Sequence, residues 1–162
     1  MSPDKVRFFR VQDLPDAELY QTSDASRSVA RHVHSVFSAS VMLSGSRIHE
    51  TRQGRFPVRA GDILVVNIGE VHGNIGSGAA TSAFALRLLP EFLDRYAGEI
   101  TGRSDNQFPL AEPVIRDSAL ALQLLKMQAI LENSSCQLEK EERILSFLST
   151  LFSRHARESF AP

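Results

Sequence analysis

Two hydrophobic periodicities divide the chain near Pro90. Residues 17 to 89 carry short apolar runs rich in Val, Ile, Phe and Thr, broken by glycine, which is strand chemistry. The spacing predicts strands over Ala17 to Ser23, Arg31 to Leu43, Ser46 to Gln53, Phe56 to Arg59, Asp62 to Ile68, Glu70 to Ile75 and Thr81 to Leu89. No connection between residues 31 and 89 is long enough to hold a crossover helix, so the strands belong to a sandwich or barrel and not to a parallel sheet. After Pro90 the composition shifts to Leu, Ala, Gln, Glu and Lys. A short helix is expected over Pro90 to Gly98, then a loop. A second helix, capped by Asp117, runs to about Glu132 with Leu120, Leu124, Met127 and Leu131 on one face. A third, capped by Ser135, carries Leu138, Leu145, Leu148 and Phe152, with Ile144 and Leu151 widening the stripe. The last two form an αα-hairpin. Their stripe either serves the chain's own core or leaves an excess for a second copy.

Composition narrows the function. The 162 residues fit one domain, and 18 Lys and Arg against 19 Asp and Glu give a net charge of −1. A chain that grips nucleic acid by itself needs a basic excess, which is absent here. No apolar run of membrane-spanning length occurs, and the N-terminus lacks the apolar core of a secretory signal. Cys136, the single cysteine, suits a reducing compartment, so a cytoplasmic location is expected.

Candidate chemistry centres on histidine. His32 and His34 alternate on one face of the expected strand, and His72 follows two strands later with Asn74 on its own face. Three imidazoles inside a small barrel suit a transition metal, or, left neutral, they read hydroxyls and carboxylates of an organic ligand. Beyond His34 the same face continues through Ser38, Ser40 and Met42, small and soft groups that leave room. Phe37, Val41 and Leu43 point the other way, to pack under the helices. Arg87 either reaches an anionic ligand or sits at the surface. Phe8, Phe9 and Val11 form a lid over the ligand, a frayed end or an extra edge strand.

The order of these marks resembles the cupin pattern, and more narrowly the sensing domain of AraC/XylS transcription regulators. The marks are His32, His34 and Phe37, the Leu43-Ser44-Gly45 turn, Gly61-Asp62, Asn67, and Gly69-Glu70-Val71-His72. Phe108 and the runs at 112 to 125 and 144 to 156 continue it. The resemblance implies a mainly β fold with C-terminal helices: a cupin (double-stranded β-helix, jelly-roll) barrel followed by an αα-hairpin. It implies an N-terminal arm over 1–16, a barrel with its following helix over 17–98, a linking loop over 99–116, and a helical dimerisation hairpin over 117–162. The expected function is effector sensing and dimerisation in a bacterial AraC-type regulator, not catalysis. A small organic effector would touch His32, His34, Ser38, Met42, His72 and Asn74, and a homodimer would form through Leu138, Leu145, Leu148 and Phe152. DNA would be reached only through a helix-turn-helix domain that does not follow His155 in this chain, so an excised sensing domain is expected. No metal or other cofactor is assigned. The alternative is a metal-dependent cupin enzyme of dioxygenase or isomerase type, with His32, His34 and His72 as ligands. The carboxylate that such enzymes carry shortly after the His pair is missing, since none occurs between Ser35 and His49.

Overall fold

The computed structural model describes residues 5–157. In chain order the elements are β1 (Lys5–Val11), β2 (Leu14–Ala25), β3 (Val29–His32), β4 (Phe37–Ser44), β5 (Ser46–Thr51), β6 (Gly54–Arg59), β7 (Ile63–Val66), β8 (His72–Gly76), β9 (Thr81–Leu88), α1 (Pro90–Thr101), β10 (Val114–Ile115), α2 (Ser118–Asn133) and α3 (Gln137–His155). Two antiparallel sheets form, one ordered β1-β2-β9-β4-β7-β10 and the other β3-β8-β5-β6. The mainly β fold with C-terminal helices is as expected.

Side-chain alternation in the larger sheet places the core. One face presents Leu19, Phe37, Ala39, Val41, Ile63, Val65, Phe84, Leu86 and Leu88, all buried with residues of the three helices. Phe108 bridges the layers, its ring 5.0 Å from Phe37 and 6.5 Å from Phe152. The main core therefore lies outside the barrel, between sheet and helices. The opposite face looks at the smaller sheet and carries an apolar cluster of Met42, Val58, Leu64, Val66, Ala83 and Val114. The rest of the interior is small or polar.

Several boundaries differ from those the sequence predicts. Residues 5–11 of the expected arm form β1, the edge strand beside β2, so the edge-strand alternative holds there; residues 1–4 lie outside the described part. The hairpin's last residues, 158–162, also lie outside it. The single strand expected over Arg31 to Leu43 is two strands in different sheets, with residues 33–36 crossing between them. Leu43, expected under the helices, is exposed because β4 runs past the core there before turning at Gly45, whose φ of 78° favours glycine. α1 extends to Thr101 and stops at Gly102. Cys136, not Ser135, occupies the N-cap of α3, while Ser134 Oγ accepts from the Cys136 N–H at 3.1 Å and donates to Glu139 at 2.6 Å.

Asp117 caps α2 as expected, accepting from Leu120 N–H at 3.0 Å. The same carboxylate takes Arg154 at 3.2 Å and His155 Nε2 at 2.9 Å, tying the start of α2 to the end of α3. Asp117→Ala is expected to destabilise by about 1–2 kcal/mol, the usual scale for a lost cap. At this chain length that lowers Tm by about 2–4 °C per kcal/mol. Asp117→Asn, which keeps the cap and loses the charge, should recover most of the melting temperature. Parallel thermal melts of the two variants check this. Among the described residues no helix is long and apolar enough to cross a membrane.

Candidate functional site

Register builds the site. Across the larger sheet Tyr20, Ala85, Ser40 and Leu64 stand in one row, and Arg87, Ser38 and Val66 in the next. Across the smaller sheet His32, His72 and Thr51 form a row, and His49 and Asn74 another. The two faces enclose a cavity of about 320 Å³. It exists because Ser38, Ser40, Ala83 and Ala85 are short where a packed sandwich would carry large side chains. Gly73 belongs to the same construction, since a Cβ there would stand 2.9 Å from Val29 O and push β3 away from β8.

The three expected histidines converge, though by a different route. His32 and His72 meet as cross-strand partners, with ring centroids 4.4 Å apart. His34 lies beyond the end of β3, in the crossing segment, where its carbonyl accepts from Gly69 N–H at 2.9 Å. One ring nitrogen from each of the three lies within 4.8 Å of the others. Hydrogen bonds set the tautomers. His32 Nδ1–H donates to Ala30 O at 2.7 Å, so its Nε2 accepts from His34 Nε2–H at 3.0 Å. His72 Nδ1–H donates to Glu70 O at 2.9 Å, which leaves its Nε2 lone pair for other partners. Burial, then the neighbouring His32, His72 and Arg87, holds His34 down at about 4. Burial likewise lowers His72, against the opposing pull of the Glu70 carbonyl. His34 and His72 are therefore neutral at pH 7.

The donor set fits a three-His centre in number and spacing, and carbonyls holding Nδ1 of two ligands is the usual outer support of such a centre. None of the described residues lining the cavity supplies a carboxylate.

Of the expected contacts, His32, His34, Ser38, His72 and Asn74 line the cavity. Met42 does not: it packs at 2% exposure in the apolar cluster beyond the cavity, because the β4 row at that position faces Val58 and Leu64. Arg87 faces the cavity, its guanidinium 5.7 Å from the Tyr20 ring and 6.0 Å from Phe8. Arg47 also lines it, unanticipated, and behind it on the same face of β5 lies His49, fully buried. His49 Nδ1–H donates to Asn74 Oδ1 at 3.3 Å. His49 Nε2 and Arg47 Nε are buried without a hydrogen-bond partner among the described residues. The available signal was the alternation Arg47, His49, Thr51, which puts three polar groups on one face of a strand.

On the helices, Leu148 and Phe152 are buried in the chain's own core, at 0% and 2% exposure, because that flank of α3 seats against the sheet and Phe108. Leu145 is partly buried, and Leu138 is exposed at 72%. Leu122 of α2, not anticipated, is exposed at 50%.

A family model described as the AraC-like ligand binding domain matches residues 14–148. No curated protein matches the chain. Among solved structures, AerE from Microcystis aeruginosa is 18% identical with a TM-score of 0.51, over 69% of this chain and 46% of that one. A cupin superfamily protein from Desulfitobacterium hafniense is 15% identical with a TM-score of 0.45, over 52% and 78%. KdgF from Halomonas sp. is 16% identical with a TM-score of 0.44, over 51% and 79%.

Proposed function

We propose, on the premise that this chain belongs to the AraC-like ligand-binding domain family, that it is the effector-sensing and dimerisation part of a bacterial transcription regulator and not an enzyme. The observation that carries the reading is the cavity. The chain places its main core outside the barrel and leaves the interior small, polar and hollow. Such a pocket, mostly preformed with a few polar anchors, is what a small organic effector needs. His72 Nε2 accepts from an effector hydroxyl, and Ser38, Ser40 and Asn74 flank it.

Transmission runs through β1. Val6 lines the cavity and Phe8 stacks beside Arg87, while Arg7 on the alternate face meets Glu132 of α2 at 3.3 Å. The turn after β1 is held by α3, where the fully buried Lys140 donates to Gln12 O at 2.6 Å. An effector that orders β1 thus biases both helices, whose outward face, with Leu122 and Leu138, joins two copies. A DNA-binding domain attached to the chain would read that geometry, in the cytoplasm. The test is a thermal-shift screen of small sugars and acids with the solution mass recorded on the same sample. A dimer stabilised by at least one compound is expected; a monomer at high concentration that no compound stabilises refutes the reading.

The three convergent nitrogens favour a second reading, a metal-dependent cupin of dioxygenase or isomerase type. The first reading predicts well under one transition metal per chain by elemental analysis of untagged protein. One metal per chain, lost in both His34→Ala and His72→Ala, would replace it with the second.

A further inference from the structure

The charge inside the barrel is one-sided. Three guanidiniums, of Arg27, Arg47 and Arg87, line the cavity, and none of its described lining residues is acidic, although the chain as a whole carries a net charge of −1. The carboxylate opposite Arg87 in the register, Glu18, meets Arg10 at 3.8 Å instead. Among the described residues Arg87 forms no ion pair, and its guanidinium lies near the aromatic faces of Tyr20 and Phe8, which orient it without neutralising it. Arg47 is the more telling group. Its Nε is buried with no hydrogen-bond partner among the described residues. A buried cation is costly unless paired, and a guanidinium fork matches a carboxylate with two parallel hydrogen bonds.

We infer that the effector is a small organic acid, its carboxylate held between Arg47 and Arg87 and its uncharged end lying toward Ala83, Ala85 and the His72 imidazole. This rests on the effector-sensing reading and narrows it. At about 320 Å³ the cavity lies at the small end of ligand pockets, roughly 300–1,000 Å³, which suits an acid of one ring or one short hydroxylated chain.

The test uses the full chain and two matched pairs of probes, benzoate against benzamide and gluconate against glucitol, by thermal shift and calorimetry. At least one acid is expected to raise Tm where its neutral partner does not. Its Kd should weaken at least tenfold in Arg47→Gln and in Arg87→Gln, and stay unchanged in Arg52→Gln, an exposed arginine outside the cavity. Neutral partners that bind as well as the acids, with both arginine variants indifferent, would overturn the acid inference and leave the effector reading standing. No response to any of the four probes would count against both. If either variant fails to give a wild-type circular dichroism spectrum, the arginine Nε–H signals of ¹⁵N-labelled wild-type protein decide. A shift of the Arg47 signal with benzoate or gluconate supports the inference, and an Arg47 signal unmoved by both overturns it.

Discussion

Acidification from pH 6.5 to pH 4 is expected to remove about 3 kcal/mol of stability through His49 alone. Burial holds this imidazole down at about 4 in the folded state, against 6.5 in the open chain, despite the opposing help of its bond to Asn74. Above pH 6.5 both states carry the neutral ring and nothing changes. Between 6.5 and about 4 the unfolded chain takes up a proton that the folded chain refuses, so stability falls as pH falls. Below about 4 the folded ring also protonates and the loss levels off. The displacement of about 2.5 pH units corresponds to about 3 kcal/mol. His34 pulls in the same direction with a smaller, solvent-screened contribution, since it is only partly buried. Asp117 separates cleanly. Its bonds to Leu120 N–H, His155 and Arg154 hold it at about 2, so its contribution is complete above pH 3.8 and is lost only as pH falls toward 2. Urea unfolding at pH 7, 5.5 and 4.5 reads the histidine window. His49→Gln, which still donates to Asn74, should flatten the slope between pH 6.5 and 4. A variant with the wild-type slope would show that the loss comes from elsewhere.

The Asp117 cap, the helical stripe and the strand-to-helix change at Pro90 were legible because each is a local signal: a side chain beside its own helix, or a period repeated over several turns. The convergence of His32, His34 and His72 was legible as a pattern, but its cause was not. The sequence places His32 and His34 on one face of one strand, whereas the chain crosses between sheets just after His32, and it is pairing with β8 that brings His72 in. Arg47 and His49 were missed because β5 carries polar groups on both faces and Ile48 as its single apolar residue, so alternation alone does not say which face is enclosed. Met42 was misplaced for the converse reason. It shares the inward face with Ser38 and Ser40, and only the lie of Val58 and Val114 decides that the interior is filled at that level and hollow one row away. The fate of Leu148 and Phe152 was likewise tertiary, since a wide apolar stripe does not reveal which flank meets the sheet.

The hollow itself yields the sharpest contrast, because two alanines on neighbouring strands face opposite ways. Ala85 looks into the cavity between Tyr20 and Ser40, whereas Ala39 is fully buried in the core between sheet and helices. Ala39→Leu forces extra carbon atoms into close-packed surroundings and is expected to cost about 1–3 kcal/mol. Ala85→Leu adds the same atoms to open space, so it should leave Tm unchanged or raise it. The same change should abolish the Tm response to any effector that stabilises the wild type, since the added side chain occupies the row between Arg87 and Ala83. Thermal melts of both variants, with and without the stabilising compound, make the comparison. Equal destabilisation by the two substitutions would mean that the barrel interior is packed as tightly as the core, and a domain with no room inside has nothing to sense. Loss of the response without loss of stability would instead tie effector recognition to the short side chains that this sheet carries on one face only.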